Sequence, residues 1–264
     1  MNITSKKIAI KATAANISST KIKNLALQLQ LPIIEENIST DKYEFVLEFI
    51  NNRLQLQETS LKKSNPIFVD FFSNQSIHRH KHGGSFGQLI AKASGVKKSN
   101  AETLKILDVT AGLGIDAFVL ACLGCDIHII ERSPIIGALL EDGLERAKTN
   151  PAFAKIKLKL TIMDSVEYLT NISKKNRPDI IYLDPMYPER KKTALGKKAM
   201  RILKEIVGED LDAAKLLTLA LESALKRIVV KRPKLAPAIG NKIPNLFFAG
   251  KSCRYDIYFP HTPR

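Results

Sequence analysis

The chain has 264 residues, 45% of them apolar and 25% charged, which excludes global disorder, collagen and a coiled coil. Forty-one Lys and Arg stand against 26 Asp and Glu, a formal charge of +15, so a polyanionic partner is expected. There is no run of ~18 apolar residues to span a membrane, no apolar stretch behind Met1–Lys7 to act as a secretory signal, and three cysteines cannot make a disulfide framework. A reduced, cytoplasmic setting is the expectation.

The first 65 residues read as a small α/β subdomain. Lys7–Ala12 alternates as a strand, and Thr20–Gln30 has helical spacing behind Ser18, Ser19 or Thr20 as cap. Tyr43–Ile50 and Arg53–Gln57 flank Asn51-Asn52, a hairpin signal. Residues 66–102 read as a basic connecting segment. In it Pro66–Phe71 predicts a strand, His78–Gly84 a basic loop, and Ser85–Ala93 a helix.

From residue 103 to 264 the pattern changes. Apolar runs at Leu104–Val109, Asp126–Ile130, Ile156–Met163, Asp179–Leu183 and Arg227–Lys231 predict strands. Helical stretches at Asp116–Leu123, Pro134–Lys148, Ser165–Thr170, Thr193–Val207 and Asp212–Leu225 lie between them. That alternation predicts an α/β fold with a doubly wound parallel sheet, whose ligands sit at the carboxyl ends of the strands. Asn245–Ala249 and Arg254–Phe259 predict a closing hairpin, so that one strand runs antiparallel to the rest.

The charge excess is clustered. Ser76–Lys98 holds five Lys/Arg and no acid, Asp184–Lys204 seven against two acids, and Lys226–Lys234 five and no acid. The remainder is therefore balanced, and the clusters suit phosphates. His78, His80 and His82 alternate as metal ligands can, but Arg79 and Lys81 between them favour phosphate contact. Cys122 and Cys125 have metal-like spacing without a second pair and read as structural thiols.

Four motifs carry chemistry. Asp108-Val109-Thr110-Ala111-Gly112-Leu113-Gly114 follows a strand and opens a helix, so Gly112 and Gly114 allow a tight turn under a ligand. Asp108 and Asp116 would repel a pyrophosphate, so the site suits a cationic or amine-bearing ligand, unless the pair is only a turn with Asp116 as cap. Glu131 lies 19 residues beyond Gly112, placed for two ribose hydroxyls; paired with Arg132 it would be a plain surface acid. Asp164-Ser165 ends another strand, where Asp164 can accept from an adenine amine, cap a helix, or do both. Asp184-Pro185-Met186-Tyr187 ends a fourth: Asp184 and the Pro185 carbonyl can accept from an exocyclic amine, and Tyr187 offers a stacking face.

This series resembles the class I S-adenosylmethionine-dependent methyltransferases, its last element resembling the Asp/Asn-Pro-Pro-Tyr/Phe motif of enzymes that methylate exocyclic amines. More closely, the chain resembles the ribosomal RNA small subunit methyltransferase J family. The likeness rests on Asp108–Gly114 with Asp116–Ala121, Leu183–Met186, Lys197-Lys198 with Met200-Arg201, and Val229–Pro233. Phe68–Phe71, Gly83-Gly84 and Arg254–Tyr258 extend it to about Pro66–Tyr258. Met186 replaces the second Pro of the motif, and Ile115 stands where the family is expected to carry Arg.

The resemblance implies a Rossmann-like, mostly parallel seven-stranded sheet with an antiparallel C-terminal strand. It implies S-adenosylmethionine as cofactor, held by Ile115, Asp116, Glu131, Arg132, Asp164, Ser165 and Asp184, beside Asp108, Gly112 and Gly114 from the turn itself. It implies methylation of a guanosine N2 in small-subunit ribosomal RNA, free or in a pre-ribosomal particle, by Asp184, Pro185 and Tyr187, with no metal and no membrane. Arg79, Lys81, Arg190, Lys191, Lys192, Lys197, Lys198, Arg201, Lys231 and Arg232 are the expected RNA contacts. Methylation of another RNA, a protein or a small-molecule amine would use the same cofactor residues without needing the basic clusters. Intact Asp184 and Glu131 argue against a non-catalytic RNA-binding protein on this scaffold. Asp108 and the missing third Gly argue against a nucleotide-dependent oxidoreductase.

Overall fold

Short apolar runs, alternating in the first part of the chain and continuous in the second, are separated by amphipathic helices and fold the chain into two sheets. The computed structural model describes residues 8–13, 16–40, 42–60, 65–72, 86–186, 198–208 and 210–260, with the backbone alone for 198–200. Among these residues no helix is long and apolar enough to cross a membrane.

The first sheet contains β1 (Ile8–Ala12), β2 (Ile33–Glu35), β3 (Phe45–Ile50) and β4 (Arg53–Glu58), in the order β2-β1-β3-β4. β1 runs parallel to β2 and β3, and β3–β4 is the antiparallel hairpin. Asn51 and Asn52 turn it with φ of 51° and 57°, the left-handed pair that matches strand twist. Helix α1 (Thr20–Leu29) is capped by Ser19, whose hydroxyl accepts from the Ile22 N–H at 3.3 Å. The sequence reading missed β2, which is three residues long and follows Pro32.

The second sheet is built from β5 (Lys105–Asp108), β6 (Asp126–Glu131), β7 (Lys157–Ile162), β8 (Ile180–Leu183), β9 (Arg227–Pro233), β10 (Leu246–Ala249) and β11 (Cys253–Tyr258). Its order is β10-β11-β9-β8-β5-β6-β7. β5 to β9 are mutually parallel, and β11 runs antiparallel to both β9 and β10. Helices α2 (Leu89–Ala93), α3 (Ile115–Cys122), α4 (Pro134–Lys148), α5 (Ser165–Thr170), α6 (Lys198–Val207) and α7 (Ala213–Ser223) accompany it. The chain lays β5, β6 and β7 outward in one direction, then returns to place β8 on the other side of β5. The β5/β8 boundary is the switch point, where such sheets bind ligands.

Burial on both faces explains the continuous apolar runs of β5, β6 and β8. Ile106, Ile129, Tyr182 and Val229 pack on one face, and Leu107, Ile130, Ile181 and Val230 on the other, with Leu216, Leu217 and Leu221 of α7. The first face is continuous with the small sheet, because Ile10, Leu47 and Leu56 join the same core as Leu139 and Leu140 of α4. A polar staple fixes this joint. Asp142 of α4 accepts from the Leu54 N–H at 3.1 Å and from Arg146 at 2.8 Å, and Arg146 also donates to the Val69 carbonyl.

Two expectations are corrected. Pro66–Phe71 is not a full strand: Ile67 alone bridges to Leu56. The Asp70 side chain accepts from the Phe72 N–H at 3.0 Å, a turn that ends any ladder. Val69 and Phe71 are buried all the same. The helix expected from Ser85 begins at Leu89, after a turn at Phe86-Gly87; Ser85 itself and the His78–Gly84 loop lie outside the described residues.

Candidate active site

The carboxyl ends of β5, β6 and β8 bring three acids into one region. Asp108 closes β5 and is buried; its carboxylate accepts from the Thr110 N–H at 3.0 Å. Burial pushes its pKa up to about 8, with Asp116, Asp184 and Glu131 adding like-charge repulsion and the Thr110 bond opposing it. Gly112 then turns with φ 54°, and a Cβ there would meet nothing within 4 Å, so the turn faces open space. Gly114, at φ 71°, is the N-cap of α3. A Cβ on Gly114 would stand 3.0 Å from Leu140 and 3.4 Å from Phe71, so close packing below the turn also demands glycine.

Glu131 ends β6 and is buried, not a surface partner of Arg132. It organises the turn: Gly112 N–H donates to Oε2 at 2.9 Å and Ser133 N–H to Oε1 at 2.7 Å. Burial raises its pKa to about 7 against the lowering effect of those two bonds and Arg132. Each oxygen keeps a second lone pair for a ligand hydroxyl. Asp164 caps α5, accepting from Val166 and Glu167 N–H at 2.9 and 3.0 Å. Ser165 is buried and its hydroxyl donates to the Val109 carbonyl at 2.6 Å, tying the end of β7 to the end of β5. Ile115, the first residue of α3, is 42% exposed.

At the end of β8, the Asp184 N–H donates to the Thr110 hydroxyl at 2.6 Å, which joins this strand end to the glycine turn. Pro185 is buried. The Met186 N–H donates to Asp210, which also pairs with Arg132; Arg132 reaches Asp212 at 3.3 Å. The segment between α6 and α7 therefore clasps the residue after Glu131 to the residues after Asp184. Sequence reasoning missed Thr110 and Asp210. Thr110 lies inside the glycine motif and was within reach of it; Asp210 carries no local signal.

Asp116 does not cap α3. Its Oδ2 accepts from the Tyr182 hydroxyl and from Lys231 Nζ, each at 2.7 Å, and Lys231 reaches Asp184 Oδ2 at 2.8 Å. Lys231 is therefore engaged inside the site, contrary to its expected role on phosphates. Arg232 is buried and donates to the Pro237 carbonyl at 2.7 Å, so it too is engaged within the fold and not presented at the surface as a phosphate contact would be. Arg201 pairs with Glu58 of β4 at 2.7 Å and Glu205 at 3.4 Å, which engages α6 with the small sheet. Tyr187, Arg79, Lys81, Arg190, Lys191, Lys192, Lys197 and the Lys198 side chain lie outside the described residues.

Cys125 is buried and Cys122 half-buried, and burial pushes their thiols up to about 11 and 12, the condition of inert structural cysteines. Among the described residues no cluster of three His, Cys, Asp or Glu could hold a metal ion.

The residues present fit S-adenosylmethionine. The open turn at Gly112 lets a ligand lie against backbone, Glu131 offers acceptors for a ribose diol, and Asp108 suits a ligand carrying positive charge. Comparisons with known proteins agree. A family model described as "Putative SAM-dependent methyltransferase" matches residues 26–260. The chain is 47% identical over 247 residues to ribosomal RNA small subunit methyltransferase J of Coxiella burnetii, covering 94% of each. It is 42% identical over 254 residues to the protein of that name in Pseudomonas aeruginosa, covering 96% of this chain and 94% of the other. A crystal structure of a SAM-dependent methyltransferase from Neisseria gonorrhoeae superposes with a TM-score of 0.71 at 30% identity, covering 98% of both chains. By family model, by relatives and by fold, the chain belongs to the ribosomal RNA small subunit methyltransferase J family of S-adenosylmethionine-dependent methyltransferases.

Proposed function

We propose that the protein methylates the N2 amine of a guanosine in small-subunit ribosomal RNA. The observation that carries this reading is the placement of Asp184 and Pro185 at the switch point, held to the glycine turn through Thr110. An exocyclic guanine amine is a poor nucleophile, because its lone pair is delocalised into the ring. Acceptors on both N–H groups turn that lone pair toward an electrophile and stabilise the positive charge that grows on nitrogen. The Asp184 carboxylate and the Pro185 carbonyl are those acceptors, and Tyr187 is the stacking face for the extruded base. S-adenosylmethionine supplies an activated methyl group on sulfonium, so the protein's task is mainly alignment. The nitrogen sheds its extra proton after the new C–N bond has formed.

The relatives' name supports ribosomal RNA as the substrate. Arg79, Lys81, Arg190, Lys191, Lys192, Lys197 and Lys198 are the phosphate contacts of this reading, in a reduced cytoplasm, on free RNA or a pre-ribosomal particle. The test uses methyl-labelled S-adenosylmethionine with small-subunit RNA, naked or in particles, from cells lacking the gene. Label in N2-methylguanosine supports the reading; label in any other nucleoside overturns it. Binding to RNA that does not weaken steeply as salt rises would count against the phosphate contacts.

A further inference from the structure

We infer that Lys231 is a positioning residue for the target amine: it commits one oxygen of Asp184 to itself and leaves the other to receive the amine hydrogen. This rests on the reading of Asp184 given above. The geometry follows from the sheet. In the β8/β9 register Leu183 pairs with Val230, so Asp184, just past the end of β8, stands at the level of Lys231 within β9. On its other side Lys231 pairs with Tyr255 of β11. Its ammonium stands 2.8 Å from Asp184 Oδ2 and 2.7 Å from Asp116 Oδ2, while the Tyr182 hydroxyl holds the same Asp116 oxygen at 2.7 Å. With the Asp184 N–H fixed by Thr110, both the backbone and one carboxylate oxygen are immobilised, and Oδ1, which takes no hydrogen bond among the described residues, is left for the substrate.

The bridge also sets the charge of the acceptor. Asp184 is faced by Asp116 from α3, by Asp210 from the segment before α7 and by Lys231 from β9. Asp108 at the end of β5, Tyr182 of β8 and Tyr255 of β11 register the Asp184 charge in turn. Desolvation and the neighbouring acids push the Asp184 carboxyl upward, and Lys231 opposes them. Lys231 itself is held cationic by the two carboxylates against its own burial. An ionised carboxylate bound to an ammonium is a strong acceptor and a weak base. Asp184 therefore orients the amine, and the proton shed after methylation goes to water.

The test compares wild type, Lys231→Met, Lys231→Arg and Asp116→Asn. The Asp184 carboxyl is titrated by carbon NMR in the ligand-free protein, and kcat is measured against pH with RNA substrate. In Lys231→Met the Asp184 midpoint is expected to rise by about one unit or more, and the acid limb of kcat to move up with it. At neutral pH kcat is expected to fall about tenfold or more, while KM for RNA changes by less than about threefold. Lys231→Arg restores the limb, because it keeps the charge. In Asp116→Asn the Asp184 midpoint falls, because a like charge is gone and Lys231 remains. A Lys231→Met protein whose Asp184 midpoint and acid limb stay in place overturns the inference, whatever its rate. Should that variant not fold, an Asp184 midpoint that does not fall in Asp116→Asn overturns it equally. Wild type that puts no methyl on guanosine N2 defeats the substrate reading instead, a result obtained before any variant is made.

Discussion

The two sheets use charge differently. In the seven-stranded sheet, acids stand at the ends of parallel strands, where burial first and neighbouring acids second push the carboxyls of Asp108, Glu131 and Asp184 upward. In the four-stranded sheet, charged side chains lie over rings or at edges: Lys21 covers Phe49 at 4.2 Å, and Arg53 covers Phe68 at 3.6 Å. The buried carboxylate that touches the small sheet, Asp142, belongs to α4 and serves as a fastener. Crowding like charges costs stability and produces chemistry, whereas pairing a charge with a backbone N–H and a guanidinium produces attachment.

That contrast can be broken most severely at Asp184. If Asp184 is the acceptor proposed for the amine, Asp184→Ala removes it from the transition state, so methyl transfer is expected to fall by about 10²–10³-fold or more. Cofactor affinity, read by calorimetry, is expected to weaken far less, and the thermal transition to persist. Turnover near wild type would place the chemistry elsewhere. Next in size is the fastener. Asp142→Ala strands the Leu54 N–H and unpairs Arg146, and a loss of about 2–4 kcal/mol is expected by denaturant unfolding. Activity per folded molecule is expected to survive, since Asp142 touches none of the site acids.

Gly143→Ala sharpens the same joint. A Cβ at Gly143 would stand 2.5 Å from Val69 Cγ1 and 2.7 Å from its Cβ, and a β-branched side chain cannot step aside. Overpacking of about 1–3 kcal/mol, partly offset by a gain of about 1 kcal/mol in helix propensity, predicts a small drop in Tm. The most graded effect is on pH. Asp108 and Glu131 have folded pKa values of about 8 and about 7, above those of an unfolded carboxylate. Their contribution to stability is full below the unfolded carboxylate pKa and is lost as pH rises through about 7 and 8. Tm of the ligand-free protein is therefore expected to decline between pH 5 and pH 8.5 on this account, and Asp108→Asn to flatten the decline. A flat wild-type profile would contradict the burial of these two acids.

Much of this was legible one residue at a time. The glycine turn, Glu131, and the Asp184-Pro185 strand end each announce themselves by following an apolar run, because a parallel strand buried on both faces leaves polar residues only at its ends. Helix α4 was read with its bounds intact, because Pro134 and Ser133 mark its start and Lys148 ends its period. Pro66–Phe71 misled because apolar residues pack equally well without pairing, and Asp70 turns the backbone out of the ladder. Lys231 and Arg232 misled more instructively. In sequence they are part of a basic cluster, and in the sheet one lies between two carboxylates and the other is buried against a carbonyl.

What the sequence by itself determined is local: which runs become strands, where the chain turns, and which acids close the strands. Period, capping and glycine conformation are properties of neighbouring residues, so a single chain carries them openly. What only the tertiary structure decided is partnership. The Arg132–Asp210–Met186 clasp, the Asp142 staple and the Lys231 bridge join residues up to 115 positions apart. Their partners are chosen by strand order and register, which no local pattern encodes.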